Sequence, residues 1–286
     1  MPAHESLALQ TRAVESPDGL RLTVDFAGDA NAPAVILLHG GGQTRHAWRG
    51  ATRALAARGY HVAATDLRGH GESGWSETLH YTIAAQVNDV RAIAQQMQGP
   101  VALIGASMGG QIALCTAAAH PEDVRALVLV DMTPQVDRVG RAKILDFMRH
   151  RPDGFGSLDE AADAIADYLP HRPRPSDLSG LRRNLRLGPD QRYRWHWDPR
   201  FLLPYEPDAD EAEQRYSAAA RRITAPTLLL RGAQSELITP ENVRHFQQLI
   251  PHADYVDIAD AAHMIAGDRN DIFNAEVIAF LDRHRR

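Results

Sequence analysis

The sequence predicts an α/β fold in which a mostly parallel sheet carries helices on both faces. The stretch at residues 34–38 is short and continuously apolar, as expected of a strand buried on both faces of a parallel sheet. Similar stretches recur along the chain and alternate with segments of helical spacing, which is typical of β-α-β units. Strands are predicted at residues 7–14, 20–26, 34–38, 60–65, 101–104, 126–130, 227–230 and 255–258, which makes a sheet of eight strands.

The first two strands are expected to form a hairpin, because Asp18-Gly19 in the turn between them is a strong hairpin signal. Helices are predicted where apolar residues recur at helical spacing and a stop signal follows, as Gly59 does after the first helix. The predicted core helices span residues 46–58, 82–98, 107–119, 240–250 and 271–283.

Residues 133–222 interrupt this alternation, since they contain no comparable apolar strand. Helical stretches at residues 141–148, 158–168 and 209–221 are separated by proline-rich breaks. We therefore expect a mostly helical insertion after the sixth strand. Residues 1–132 and 223–286 form the core, and the whole chain is one domain unit.

Composition limits the possible classes of function. The 286-residue chain has a net charge of −5 and one cysteine. This charge gives no general attraction to nucleic acid, and one cysteine excludes an internal disulfide or a multi-cysteine metal site. No apolar stretch approaches the roughly 18 residues of a membrane span, and no secretory pattern is visible. We expect a cytoplasmic monomer or homodimer that contacts neither nucleic acid nor membrane and holds no metal.

The pentapeptide Gly105-Ala106-Ser107-Met108-Gly109 has the pattern Gly-x-Ser-x-Gly between a buried strand and a helix start. Its small residues allow a sharp turn that holds the Ser107 hydroxyl clear of the sheet. Free N–H groups at the helix N-terminus favour negative charge there. Ser107 is therefore predicted to be a nucleophile, and the alternative is an ordinary serine N-cap.

A glycine run after the strand at residues 34–38 supplies a second part of the predicted site. Acyl transfer needs N–H donors directed at the oxyanion. Gly41 can offer its N–H with no side chain in the way, and the Met108 N–H would be the second donor. The alternative for the glycines is a plain flexible turn. His39, directly before them, is expected to brace the loop.

With these motifs the chain resembles the α/β-hydrolase superfamily over nearly its whole length. Residues 66–73, Asp-Leu-Arg-Gly-His-Gly-Glu-Ser, are similar to a structural loop of that family, which argues against a catalytic role for His70. The resemblance implies that residues 133–222 are a cap, or lid, over the active site. It also implies that the catalytic residues follow the chain order serine, acid, histidine.

By that order the general base lies late in the chain, and His263, after the last strand, is the histidine in the expected position. Members of the family usually have an aspartate in the loop after the strand that follows the cap, where this chain has Glu236. Asp131 is the alternative acid, because some members carry the acid at the end of the preceding strand. Either carboxylate would hold the tautomer of His263 and stabilise its imidazolium.

The predicted activity is hydrolysis of a small carboxylic ester or lactone through an acyl-enzyme on Ser107, without a cofactor. Trp195 and Trp197 either line the acyl pocket or anchor the cap. The same triad would also serve a carbon–carbon bond hydrolase or a cofactor-free haloperoxidase or perhydrolase. A non-catalytic ligand receptor on the same scaffold is the alternative from another class.

Overall fold

The structure is a computed structural model that describes residues 8–168, 174, 177–178, 180–202, 209–259, 261 and 270–285. The strands of the main sheet are β1 (Gln10–Glu15), β2 (Arg21–Ala27), β3 (Ala34–Leu38), β4 (His61–Thr65), β5 (Val101–Ala106), β6 (Val124–Val130), β9 (Thr227–Gly232) and β10 (Asp254–Ile258). A separate hairpin contains β7 (Leu185–Leu187) and β8 (Tyr193–Trp195). The α-helices in the described ranges are α1 (Arg49–Ala57), α2 (Ile83–Ala94), α3 (Met108–Ala119), α4 (Arg138–Arg149), α5 (Leu158–Tyr168), α6 (Ala209–Ala220), α7 (Pro240–Leu249) and α8 (Asn270–Arg283). None of these helices has both the length and the apolar character needed to cross a lipid bilayer.

Within the described residues, the main sheet has eight strands in the order β1-β2-β4-β3-β5-β6-β9-β10. Strand β2 is antiparallel to both β1 and β4, whereas every pairing from β4 to β10 is parallel. The predicted α/β fold with a mostly parallel eight-stranded sheet is therefore confirmed. Parallel pairing brings the carboxyl ends of β3, β5, β6 and β9 to one edge, where such sheets form their ligand sites.

The hydrophobic core has one layer on each face of this sheet. Side chains alternate along β3, so that Ile36 and Leu38 face one layer while Val35 and Leu37 face the other. Helices α2 and α3 pack on the first layer, and α1 and α8 pack on the second. All four side chains are fully buried, which explains why this strand is continuously apolar in the sequence.

Residues 133–222, most of the chain between β6 and β9, are the segment that we call the insertion. Its described part contains α4, α5, the β7–β8 hairpin and α6. The sequence does not predict the hairpin, because two strands of three residues are too short to give an alternating pattern. Tertiary packing supports it, since Leu185 joins Phe155 and Leu181 in a small buried cluster.

Strand β5 meets α3 at a sharp turn centred on Ser107. The φ of Ser107 is 48° and its ψ is −116°, a conformation that is costly for a residue with a side chain. The helix therefore begins at Met108, one residue later than predicted. A Cβ on Gly105 would lie 2.2 Å from the carbonyl oxygen of Gly109, and a Cβ on Gly109 would lie 2.2 Å from that of Leu38. The two glycines thus allow the close contact that holds this turn.

Replacing Gly105 by alanine is expected to lower the free energy of unfolding by about 3 kcal/mol, because a new Cβ would overlap rigid backbone. Gly180→Ala is a matched control: an added Cβ there meets no atom of the described residues within 4 Å, and the φ of Gly180 is an ordinary −65°. It should change the free energy by less than about 0.5 kcal/mol. Urea unfolding measures both values, and a Gly105→Ala protein as stable as the wild type would contradict the tight contact.

Candidate active site

Ser107 lies at the carboxyl edge of the sheet, on the wall of a cavity of about 580 Å³ between the core and the insertion. Two backbone hydrogen bonds fix its turn. The Ser107 N–H donates to the Val130 carbonyl at the end of β6 (3.1 Å), and the Ser107 carbonyl accepts from the Gln111 N–H in α3 (3.0 Å). The strained serine is therefore tied to both the neighbouring strand and the following helix.

Two backbone N–H groups lie beside this serine. Gly41 and Met108 both line the cavity, and no acceptor among the described residues is recorded for the N–H of either. Met108 is the first residue of α3, where N–H groups have no partner within the helix. The glycine loop approaches closely, since a Cβ on Gly40 would lie 3.4 Å from the Ser107 Cβ. Within the described residues, therefore, no acceptor competes with a ligand for either N–H group.

His39 fixes the orientation of the loop at residues 39–42. Its Nε2 accepts a hydrogen bond from the Leu67 N–H (3.0 Å), so its Nδ1 carries the proton and donates to the Gly40 carbonyl (2.8 Å). Because C=O and N–H point in opposite directions in a trans peptide, this bond turns the Gly41 N–H away from His39. Burial lowers the pKa of His39 and keeps the ring neutral. His39 therefore braces the loop, as predicted.

His70 holds the next peptide group of the same loop. Its Nε2 accepts from the Gly42 N–H (3.2 Å), and its Nδ1 donates to the Arg68 carbonyl (3.2 Å). Burial lowers the pKa of His70 well below its ordinary value. Asp66, at the start of the loop that carries His70, is fully buried and paired with Arg45. These contacts confirm the structural role predicted for residues 66–73.

Asp131, the alternative acid, directly follows β6. The last residues of β5 and β6 pair in register, so Ser107 and Asp131 leave neighbouring strands at the same edge of the sheet. The Asp131 side chain is fully buried, and its φ is 46°. Its Oδ1 accepts from the Gly232 N–H (3.1 Å) and its Oδ2 from the Ser235 hydroxyl (2.5 Å). This carboxylate is buried, hydrogen-bonded and next to the nucleophile in the sheet.

Glu236, which stands where the family usually has its acid, lies at the surface in the loop after β9. Its side chain is 65% exposed, and its Oε2 accepts from the Lys143 Nζ in α4 (2.9 Å). Its carbonyl oxygen packs on Gly140, where a Cβ would lie 2.4 Å away. Glu236 therefore connects this loop to the insertion, and its carboxylate faces solvent and a lysine.

The predicted base, His263, lies outside the described residues. Ala261, the nearest described residue before it, accepts a hydrogen bond from the Gln234 N–H (2.9 Å). Gln234 precedes Ser235, whose hydroxyl donates to Asp131. The chain after β10 thus passes beside the loop that contacts Asp131.

Aromatic side chains form the insertion side of the cavity. Trp195 and Trp197 line the cavity and stack on each other, with 4.8 Å between ring centroids and 8° between planes. Phe147 and Tyr168 form a second stacked pair, with centroids 4.1 Å apart. Trp195 also packs edge-on against Phe155 inside the insertion. The tryptophans therefore contribute both to the cavity wall and to the packing of the insertion.

Sequence reasoning missed two residues near the site, Ser235 and His196, because neither belongs to a known motif. Ser235 donates to Asp131 from a different strand end. His196, buried in the insertion, packs against His70 with 5.9 Å between ring centroids. The one sequence signal for His196 is its position between Trp195 and Trp197, and Ser235 has none.

Comparisons with known proteins agree with this architecture. The family model described as alpha/beta hydrolase fold matches residues 33–269. Esterase Rv0045c of Mycobacterium tuberculosis is 27% identical over 247 residues, which cover 84% of this chain and 79% of that protein. The 3-hydroxybutyrate-oligomer hydrolase of Cupriavidus necator is 28% identical over 262 residues, 87% of this chain and 89% of that protein. A crystal structure of E-2-(acetamidomethylene)succinate hydrolase superposes with a TM-score of 0.84 at 21% identity, covering 96% of this chain and 100% of that one. The chain therefore belongs to the α/β-hydrolase family.

Proposed function

We propose that the protein is an ester-hydrolysing enzyme that cleaves a small carboxylic ester or lactone through an acyl-enzyme on Ser107. One observation carries this proposal. A serine in a left-handed backbone conformation lies on a cavity wall, beside two backbone N–H groups that have no acceptor in the described part of the chain. Relatives named as an esterase and as a 3-hydroxybutyrate-oligomer hydrolase support ester bonds as the target.

In the proposed reaction the Ser107 oxygen attacks the substrate carbonyl carbon while its proton passes to His263. The carbonyl oxygen becomes an oxyanion that accepts hydrogen bonds from the N–H groups of Gly41 and Met108. The bond to the leaving alcohol then breaks, and His263 returns the proton to the alcohol oxygen. Water attacks the acyl-enzyme in the same way, which releases the carboxylic acid and regenerates Ser107. No cofactor takes part.

We propose Asp131, and not Glu236, as the acid that orients His263. A triad acid is buried and held by hydrogen bonds, because it must fix one tautomer of the histidine and stabilise its charged form. The burial of Asp131 and its hydrogen bond from Ser235 meet this requirement. Glu236 is mostly exposed and pairs with Lys143 instead.

Ser107→Ala is expected to lower kcat on p-nitrophenyl butyrate by at least about 10⁴-fold, because no nucleophile remains to form the acyl-enzyme. A fluorophosphonate probe should label the wild type at Ser107, as read by peptide mass spectrometry, and should not label the variant. Circular dichroism checks that both proteins are folded. Folded wild type that takes up no label, or that is labelled elsewhere, would exclude the proposed nucleophile.

Asp131→Asn and Glu236→Gln distinguish the two acids. We expect Asp131→Asn to lower kcat by about 10⁴-fold, since an amide cannot hold the histidine in the required tautomer. The fold should survive, because an asparagine oxygen can still accept from the Gly232 N–H. Glu236→Gln should stay within about twofold of wild type, as expected for an exposed carboxylate. The opposite pattern of steady-state rates would make Glu236 the acid.

We further propose that the insertion acts as a cap and that its aromatic wall binds the acyl part of the substrate. Trp195 and Phe147 contact each other at the cavity, with 5.8 Å between centroids. Apolar side chains of α4, Leu145 and Met148, continue this surface. A wall of this kind favours substrates with a hydrophobic acyl group, because burial of each CH₂ contributes about 0.8 kcal/mol.

The measured quantity is kcat/KM for p-nitrophenyl octanoate divided by kcat/KM for p-nitrophenyl acetate. Trp195→Ala should reduce this ratio by about tenfold, because the longer acyl chain loses its contact with the tryptophan. The ratio is independent of the fraction of protein that is active. Trp75→Ala is the control, since Trp75 is 38% exposed and does not line the cavity. An unchanged ratio in Trp195→Ala would mean that this tryptophan only anchors the insertion.

The alternatives of carbon–carbon bond hydrolysis and of haloperoxidase or perhydrolase chemistry would use the same Ser107. No contact among the described residues favours them over ester hydrolysis. The cytoplasmic location and the monomeric or homodimeric state stay predictions from the sequence.

A further inference from the structure

His196 of the insertion makes two hydrogen bonds to backbone groups of the core. It follows β8 and is 2% exposed. Its Nδ1 accepts from the Gly71 N–H (2.8 Å), so its Nε2 carries the proton and donates to the Gly42 carbonyl (3.1 Å). His196 thus connects the insertion to the loop at residues 39–42, which lies against the nucleophile.

Three successive peptide groups of that loop are each held by one imidazole. His39 holds the first, which is the peptide that carries the Gly41 N–H. His70 holds the second through the Gly42 N–H, and His196 holds the third through the Gly42 carbonyl. Because each peptide group is planar, these three bonds leave the loop little freedom to rotate.

All three rings must be neutral for this arrangement, since each uses one nitrogen to accept a backbone N–H. Burial lowers the pKa of His196 to about 4, and burial also lowers the pKa values of His39 and His70. The rings are close together, with centroids 5.2 Å apart for His39 and His70. A proton added to His196 would place an N–H against the Gly71 N–H and break that bond.

His196 differs from the other two histidines because it belongs to the insertion. The same stretch of the insertion is bonded to the core at a second point, where the Asp198 N–H donates to the Gly69 carbonyl (2.8 Å). Arg186 donates to the Gly71 carbonyl nearby. The position of Gly42 therefore depends on the bond that His196 makes from the insertion to the core.

We propose that His196 is a positioning residue for the oxyanion donor: by holding the Gly42 carbonyl, it keeps the Gly41 N–H directed at the developing oxyanion. This inference rests on the proposed hydrolysis at Ser107. Preorganised donors act on the transition state more than on the bound substrate. Loss of this support should therefore lower kcat and leave KM nearly unchanged.

Two substitutions separate the two bonds of His196. In His196→Gln the amide nitrogen can take the place of Nε2 and donate to Gly42. In His196→Asn the shorter amide can accept from Gly71 but cannot reach Gly42. On p-nitrophenyl butyrate we expect His196→Asn to lower kcat about tenfold, with KM changed by less than about twofold. His196→Gln should retain at least about half of the wild-type kcat.

Tyr81→Phe is the matched control for general damage to the contact between insertion and core. It removes the buried hydrogen bond from the Tyr81 hydroxyl to Asp198 (2.5 Å) and the acceptor of the Ser76 N–H (2.8 Å), but it keeps all three imidazole bonds of the loop at residues 39–42. It should lower the melting temperature but leave kcat unchanged. A wild-type kcat in His196→Asn would overturn the inference. The inference also fails if His196→Gln or Tyr81→Phe loses as much kcat as His196→Asn does.

Amide hydrogen exchange at Gly42, followed by NMR, tests the same inference without substrate. The Gly42 N–H is bonded to His70, and its exchange should become about tenfold faster in His196→Asn but not in Tyr81→Phe. If the wild type hydrolyses no ester, the proposed function fails while this measurement still reports on the loop. Unchanged exchange at Gly42 in His196→Asn would overturn the inference whatever the enzyme assays give.

Discussion

The close packing of α3 on β3 and β5, through Gly105 and Gly109, is the contact on which the rest of the site depends. With no side chain at either position, the helix N-terminus lies directly against the strands. The chain must then turn so sharply that Ser107 takes a left-handed conformation. That turn brings the serine to the cavity and leaves the first N–H of α3 free of a helical partner.

Buried polar groups hold the surrounding loops, and each has partners that offset the cost of its desolvation. The neutral rings of His39 and His70 bind backbone groups, and the Asp66 carboxylate pairs with Arg45. Under the proposed function, a loop held in this way does not need to reorganise when charge develops on the substrate oxygen, which is the condition for strong stabilisation of an oxyanion.

The insertion both lines the cavity and holds loops of the core. It supplies an aromatic wall to the cavity through Trp195 and Trp197. It also supports the glycine loop through His196 and meets the loop after β9 through Lys143 and Glu236. Under the proposed function, a movement of Trp195 and His196 relative to the core would alter both substrate binding and the oxyanion donors.

The sequence by itself determined the α/β fold and the turn at Ser107, because each strand and the turn appear as a pattern of adjacent residues. It also predicted the bracing role of His39, whose bond to the Gly40 carbonyl is local. Continuous apolar strands and glycines around a serine are local patterns that can be read along the chain. Only the tertiary structure favoured Asp131 over Glu236, because Asp131 is buried and Glu236 is exposed, whereas their positions in the sequence favoured Glu236.

The β7–β8 hairpin and the role of His196 also depended on the tertiary structure. Both could not be predicted for the same physical reason: they consist of contacts between segments that are distant in the sequence. The hydroxyl of Ser235 meets Asp131 across 104 positions, and His196 meets Gly42 across 154. No local periodicity records such contacts, and they exist only once the sheet and the insertion have packed together.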